Sequence, residues 1–289
     1  MLAKVLYKKG VAWTAGLMRL LISSPRSFLS ETFESDHVRA TLAAWGMHLD
    51  FAPDLGGGAV FPYLEAMANQ NFGMVIGKGG ADTVTRALVA QIEASGGGVH
   101  CGKKVTRVIR EGARATGVEL ADGTRVSAAK AVIANVAPQG MMKLLEGGSG
   151  NSGFDAKMTK FVHAPGTMMI HLALDELPDW SASEELKSFA YVHIAPSLDQ
   201  MARTYQQAMA GLLPDEPVLV VGQPTAIDPS RAPEGKHVLW VQVRMVPGDH
   251  GDRLGQGQGD LCRAGARYHR EACAGVESQN HQPGRDFAA

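Results

Sequence analysis

The stretch GKGGADTVTRALVAQIEASGGGVHCGKKV, residues Gly77 to Val105, decides the class of the fold. Asp82 can cap a helix, and the helical spacing of four apolar residues gives that helix one shared face: Val84, Ala87, Leu88 and Ile92. The run Gly96-Gly97-Gly98 supplies the left-handed C-cap that ends it. A glycine turn, a helix and a second glycine turn that leads into a strand predict an α/β protein.

The residues after this stretch predict strands. Val105 to Arg110 is β-like, and Asp122-Gly123 marks the turn of a hairpin between alternating strands. The apolar run Ala131 to Ala134 reads as a buried strand that enters a turn at Asn135-Val136-Ala137-Pro138. The predicted order is therefore helix, strand, hairpin and buried strand.

Two glycine patterns could be taken for dinucleotide-binding loops. Gly77-x-Gly79-Gly80 is not GxGxxG, because the last required position is Asp82. A true match lies at Gly148 to Gly153, with Asp175 about twenty residues on. The fingerprint needs a strand that runs into the first glycine, whereas the helix-like MMKLLEG stands there. We interpret this second pattern as a polar loop, with a nicotinamide site as the less favoured alternative.

Composition excludes several classes of protein. The chain is 45% hydrophobic and 20% charged, and its net charge of −1 gives no reason to expect nucleic acid or an anionic membrane. Its three cysteines show neither a CxxC nor a zinc-ligand spacing, which favours a reducing compartment. We expect a cytoplasmic protein, or a mitochondrial one if the source is eukaryotic. No metal ligand and no catalytic side chain is predicted.

The N-terminal third predicts helices. Apolar residues at helical spacing up to Leu21 favour an amphipathic helix over a signal or transit peptide. Ser24-Pro25 predicts a capped helix through Phe33, and Asp36 begins another. Tyr63 to Asn69 predicts a short one. The richness in Phe, Trp and Met allows a pocket for an apolar substrate, although core packing is the commoner reason for it.

The C-terminal half predicts a sheet. GTMMIHLALD reads as a strand, and YVHIAPSLDQMARTYQQAMAG reads as a strand followed by a helix capped near Ser197. Further strands are predicted at 218–221 and 237–246. His171 and His193 lie in strands without the partners of a catalytic triad or a metal site, so we interpret both as structural.

The segment from Gly77 to Pro138 resembles the central part of FAD-dependent oxidoreductases of the phytoene desaturase and amine oxidase type. The shared pattern is Gly-Gly, a helix, Gly-Gly, an apolar strand from Val105 to Val108-Ile109, G-V-x-L-x-D-G and a strand that ends in N-x-x-P. The resemblance covers about residues 20 to 248. It is nearest the phytoene dehydrogenase-like subgroup that includes pyridine nucleotide-disulphide oxidoreductase domain-containing protein 2.

The resemblance implies a fold and a cofactor site. It implies an incomplete FAD/NAD(P)-binding Rossmann-like domain and a substrate domain with a mixed sheet and helices. It implies FAD, with the main chain of Val105 at the adenine end; Val105 as a plain apolar strand residue is an equal alternative. The implied cofactor-binding residues are Gly79, Gly80, Val105, Ala134, Asn135 and Pro138.

The same comparison predicts that both ends of the chain depart from the family. The GxGxxG unit that would bind the pyrophosphate is expected upstream of Gly77, yet residues 1 to 76 do not fit it, so we expect a truncated chain. Residues 249–289 lack periodicity. Residues 262–277 can be encoded by codons that, when read in a frame shifted by one base, encode a helix like the one the family has at this place. We therefore expect an out-of-frame tail, with an ordinary polar tail as the alternative.

These expectations divide the chain into four parts. Residues 1–70 are the helical part of the substrate domain, 71–150 the partial FAD domain, 151–248 the substrate-domain sheet and helices, and 249–289 the tail. The expected activity is FAD-dependent oxidation of a small apolar molecule by hydride transfer. A non-catalytic fragment, or a partner-binding protein without flavin, is the alternative. The expected partner is a second copy of the chain, in a homo-oligomer, or the missing N-terminal flavin-binding portion.

Overall fold

The computed structural model describes residues 2–247, with side chains from residue 6 onward. These residues form two compact units. The first comprises the described residues up to Thr83 and those from Ala164 onward, and the second comprises Val84–His163. The predicted domain boundaries stay predictions, and the tail at 249–289 lies outside the described residues.

Helices form the N-terminal part of the first unit: α1 (Leu2–Lys9), α2 (Val11–Ile22), α3 (Pro25–Thr32), α4 (Asp36–Met47) and α5 (Val60–Phe72). Gly10, with φ of 82°, separates α1 from α2, so the predicted N-terminal helix is two helices. The cap predicted for α3 is confirmed, because the Ser24 hydroxyl accepts a hydrogen bond from the Ser27 N–H.

A four-stranded sheet forms the rest of the first unit, in the spatial order β4-β7-β6-β5. Its strands are β4 (Gly166–Leu174), β5 (Tyr191–Ile194), β6 (Val218–Gly222) and β7 (His237–Val246). Every pairing among these strands is antiparallel, whereas the prediction was a mixed sheet. The predicted strand positions are confirmed.

The first unit has two apolar clusters. One is formed by alternate residues of β6 and β7 with Trp180: Leu219, Val221, Leu239, Val241 and Val243. The other joins α3 and α4 to α9 (Leu198–Met209), which Ser197 caps as predicted by accepting from the Gln200 N–H. Leu29, Met47 and Met201 are fully buried there. Val218 of β6 and Met245 of β7 belong to this second cluster, so the sheet packs against these helices.

Few side chains of the second unit are buried. It contains most of α6 (Asp82–Ala94), then β1 (Val105–Glu111), β2 (Arg114–Leu120), β3 (Arg125–Ser127), α7 (Pro138–Leu144) and α8 (Ser152–Thr159). The three strands form an antiparallel sheet in chain order. The turn predicted at Asp122-Gly123 is confirmed, since Gly123 has φ of 81° and joins β2 to β3. None of the residues of α6 is buried.

The buried strand predicted at Ala131 to Ala134 is wrong. The segment is not a strand, and the Ile133 side chain is 93% exposed. An apolar run becomes a buried strand only where neighbouring strands pair with it and layers cover both faces. None of the described strands pairs with it.

Candidate functional site

A cavity of about 510 Å³ opens in the first unit. Its apolar walls are formed by Trp45, Met74, Val75, Ile76, Phe189 and Ile227. Polar groups enter the lining through Ser188, Tyr191 and His193. A concave, mainly apolar site with few polar groups is the usual form of a small-molecule pocket.

A buried glutamine fixes one wall of this cavity. Gln223 follows β6 and is fully buried. Its Nε2 donates to the carbonyls of Leu186 and Phe189, each at 2.9 Å, and its Oε1 accepts from the Trp180 indole N–H at 3.0 Å. The Gln223 backbone N–H donates to the Ala190 carbonyl at 2.7 Å. These four bonds hold the segment that carries Phe189 against the end of the sheet.

The ion pair of Asp228 and Arg231 fixes the glycine turn that follows the lining segment 74–76. The buried Asp228 carboxylate accepts from the Gly79 N–H at 2.6 Å, and Arg231 donates to the Gly77 carbonyl at 2.5 Å. Asp228 and Arg231 also pair with each other at 3.2 Å. Hydrogen bonds from Ser230 and then from Gly79 lower the pKa of Asp228 to about 2. The turn and Ile227, which lines the cavity, are therefore tied together.

Two histidines meet beside the cavity. The Nε2 atoms of His48, after α4, and His193, in β5, lie 2.6 Å apart. Trp45 contacts both rings, with centroids 5.6 Å from His48 and 5.4 Å from His193. Burial, and secondarily His48 and Arg244, lower the pKa of His193 to about 4. Both rings are thus neutral near pH 7, since burial and then Arg244 also lower the pKa of His48.

Arg244 supports this pair from β7. Its Nη2 donates to the carbonyl of Met47 at 2.8 Å and to that of His48 at 3.3 Å. These are carbonyls of the last turn of α4, where a cation is favoured by the helix dipole. Burial lowers the pKa of Arg244. Burial also raises the pKa of Asp50, and the charge of Arg244 partly offsets that rise. A cation therefore faces the imidazoles and disfavours their protonation.

The cofactor-binding residues predicted from sequence are divided between the two units. Gly79 and Gly80 lie in the first, where both have positive φ. Val105 begins β1 in the second unit, with a bulge between it and Arg107. Ala134 and Asn135 lie in the segment before α7, and Pro138 is the first residue of that helix. Their roles stay predictions.

The glycine turn can be tested for its fit to a flavin. The Gly79 N–H is already bonded to a carboxylate, so a phosphate placed there would meet a negative charge. A Cβ added to Gly79 would meet no atom within 4 Å, so its main chain presents an open face. The turn therefore leaves open space beside the main chain of Gly79, and it does not suit a pyrophosphate.

The loop at Gly148 to Gly153 has the structure of a closed polar loop. The helix α7 precedes it instead of a strand. The Ser149 N–H donates to both oxygens of Asp155, at 3.0 and 3.1 Å, and Asn151 caps α8. A carboxylate occupies the place that a phosphate would need, which agrees with the interpretation of this pattern as a polar loop.

Sequence reasoning missed several residues that build the cavity. The sequence makes no prediction for His48, Gln223, Asp228 and Arg231, and it predicts a structural role for His193. The signal for Gln223 is a polar side chain directly after the all-apolar run of β6. His48 gives no such signal, because its partner is 145 residues away in the chain. His171 lies exposed on β4, away from the described contacts of this cluster.

Comparison with known proteins supplies the family. Residues 12–274 match the family model described as "Flavin containing amine oxidoreductase". This chain belongs to that family. The matched range enters the stretch 249–289, for which an out-of-frame origin stays a prediction. The family is flavin-containing, so a flavin is the cofactor that membership implies.

Proteins similar to this chain include carotenoid enzymes and a mouse protein. The chain is 27% identical to a zeta-carotene-forming phytoene desaturase of Myxococcus xanthus, over 82% of this chain and 43% of the relative. It is 26% identical to a phytoene dehydrogenase of Streptomyces griseus, over 78% and 40%. It is 22% identical to pyridine nucleotide-disulfide oxidoreductase domain-containing protein 2 of Mus musculus, over 76% and 40%. The chain thus spans less than half the length of these relatives.

Solved structures support the fold. An oxidoreductase from Methanosarcina mazei superposes with a TM-score of 0.58 at 20% identity, over 88% of this chain and 53% of that one. The predicted α/β fold class is confirmed, with antiparallel sheets and helices. Among residues 2–247, no helix has the length and apolar character needed to cross a membrane. The same residues contain no cluster of three or more His, Cys, Asp or Glu side chains suited to a metal ion.

Proposed function

We propose that this chain provides the substrate pocket of an FAD-dependent oxidoreductase of the dehydrogenase or desaturase type. The observation that carries the proposal is an apolar cavity of about 510 Å³ in a member of a flavin-containing family. The activities for which its relatives are named, desaturation and dehydrogenation of phytoene, support an apolar substrate. The substrate is a small molecule whose main contacts are with aliphatic and aromatic side chains.

A bound flavin would accept a hydride from the substrate. The residues of the chain bind the apolar body and exclude water from the cavity, through walls such as Trp45, Ile76 and Phe189. Gln223 and Asp228 keep those walls in place. The proposed function therefore depends on positioning the substrate in a pocket that excludes water, more than on an acidic or basic side chain.

The proposed cofactor contacts follow from the fit of the glycine turn and from the family resemblance. The open main-chain face at Gly79 would receive a flat ring, with Gly80 next to it, where an added Cβ would lie 3.2 Å from an Asp82 carboxylate oxygen. The main chain of Val105 would meet the adenine end of FAD, and the turn from Ala134 through Asn135 to Pro138 would lie along the cofactor. FAD, rather than another flavin, is part of the proposal.

Flavin binding by the purified chain tests this proposal. Titration with FAD, followed by quenching of flavin fluorescence, should show saturable binding that competing apolar substrate analogues do not abolish. Asn135→Asp should weaken binding, because it adds a negative charge beside an anionic cofactor. Asn151→Asp is the matched control, since Asp caps α8 as well as Asn does.

The alternative is a partner-binding protein without flavin. The exposed apolar residues of α6 favour it, since Val84 is 62% and Leu88 is 60% exposed. No saturable FAD binding, together with concentration-dependent self-association in sedimentation, would support this alternative. Retained FAD binding by a monodisperse chain would exclude it. A cytoplasmic location stays a prediction in either case.

A further inference from the structure

We propose that His193, held through its Nε2 by His48, is a polar recognition point of the cavity, and that the ligand carries one hydroxyl or carbonyl group on an apolar body. The inference deepens the proposed function, since it uses the same pocket. It concerns ligand binding alone, which can be measured without flavin.

The first step is the hydrogen bond between the two rings. With 2.6 Å between the Nε2 atoms, one ring donates and the other accepts. When His48 donates, the His193 Nε2 accepts and its Nδ1 carries the proton. When His193 donates, its Nδ1 is an acceptor. The tautomers of the two rings are therefore coupled, and His193 can donate to a carbonyl or accept from a hydroxyl without changing its charge.

The second step is the environment that keeps the pair neutral. The groups that face it are Trp45 of α4, which contacts both rings, and Arg244 of β7, which binds the carbonyl of His48. Asp50 lies beside Arg244, and burial raises the pKa of its carboxyl. The charge of Arg244 lowers the pKa of both imidazoles and so disfavours an imidazolium. The recognition point is therefore suited to a neutral ligand group.

The third step concerns the other polar side chains of the described lining, Ser188 and Tyr191. Ser188 donates its hydroxyl proton to the Glu185 carbonyl at 2.7 Å, so that proton is already used. Tyr191 presents a phenol on a ring that packs against Trp240 at 5.4 Å. Tyr191 and the Ser188 oxygen, which can still accept, are the competing polar groups among the described lining side chains, and the Tyr191 hydroxyl can be removed by a single-atom change, Tyr191→Phe.

A matched pair of probes tests the proposal on the full flavin-free chain. The probes are 2-naphthol and 2-methylnaphthalene, which differ by a hydroxyl in place of a methyl group. Binding is measured by fluorescence titration. We expect wild type to prefer 2-naphthol by up to about tenfold, the effect of one net hydrogen bond. His193→Phe should abolish that preference and retain the affinity for 2-methylnaphthalene, while Tyr191→Phe should leave the preference unchanged.

Three results would overturn the proposal. The first is binding of neither probe by wild type. The second is a preference that survives in His193→Phe, and the third is a preference that Tyr191→Phe removes. If His193→Phe fails to fold by circular dichroism, His193→Val replaces it, since a strand accommodates valine well. A chain that binds no FAD but shows the His193-dependent preference would refute the proposed function and support this inference.

Discussion

Gly222→Ala is a direct test of how the sheet supports the cavity. Gly222 is buried in the central strand β6, opposite Trp240 of β7 and Tyr191 of β5. Its backbone is outside the left-handed region, so alanine meets no conformational penalty there. An added Cβ would, however, lie 2.5 Å from Cδ2 of Trp240 and closer still to Cε2 and Cζ2. The indole covers the glycine, and the new methyl group has no room.

The expected cost comes from this overlap. Either the indole rotates away from Tyr191, whose ring lies 5.4 Å from it, or β6 shifts within the sheet. Overpacking of this kind destabilises proteins by about 1–3 kcal/mol. Since Tyr191 lines the cavity, we also expect weaker binding of 2-methylnaphthalene.

Urea unfolding followed by circular dichroism measures the effect, with the slope compared between variants. Gly166→Ala is the control, because a Cβ there lies 3.5 Å from the Val246 carbonyl oxygen, an ordinary contact. The double variant Gly222→Ala/Trp240→Val should recover part of the loss, since it removes the overlapping ring. An unfolding midpoint equal to that of wild type for Gly222→Ala, or a double variant with simply additive losses, would refute the reasoning.

Three further predictions concern the supports of the cavity. Gln223→Leu should lower the free energy of unfolding by at least about 2 kcal/mol, because two partly buried carbonyls and a buried indole N–H lose their partner. Urea unfolding measures this loss, and for the exposed Gln206→Leu the free energy of unfolding should change by less than about 0.5 kcal/mol. The pKa of His193 falls from 6.5 to about 4 on folding, so its contribution to stability is complete above about pH 6.5 and is lost as the pH falls toward 4. The free energy of unfolding should therefore change with pH in this range by at most about 1.4 kcal/mol per pH unit. Unfolding measured at several pH values should show a smaller dependence on pH in His193→Phe, and the dependence that remains is attributed to His48. Asp228→Asn should speed hydrogen–deuterium exchange at 74–80 by weakening the hold on Gly79, with exchange at 198–209 as the unchanged reference.

Local features of this fold were predictable because their causes are local. Ser24 and Ser197 cap helices with their own hydroxyls, and Gly123 supplies the positive φ of a tight hairpin. The alternation of β7 also predicted its strand. In each case the residues that determine the structure lie within a few positions of one another. The exposed run at 131–134 was mispredicted because a buried strand depends on distant partners, which its own composition does not report.

The cavity was not predictable from sequence because the residues that shape it act at a distance. Its walls come from four separate segments, and two polar side chains that do not line it, Gln223 and Asp228, hold backbone groups of those segments. In a strand or turn such a side chain looks like any other polar residue. What distinguishes it is burial together with several main-chain partners, and both are properties of the folded chain.

This arrangement separates the residues that select the ligand from those that maintain the cavity. Gln223 and Asp228 bind main-chain atoms, so their loss would move whole walls and would weaken the binding of every ligand together. His193 lines the cavity itself and is tied to one further side chain, His48. A change at His193 would therefore alter the ratio between polar and apolar ligands while leaving the walls in place. The difference between a uniform loss of affinity and a changed ratio is what identifies each residue's role, since a residue that only supports the fold cannot discriminate a hydroxyl from a methyl group.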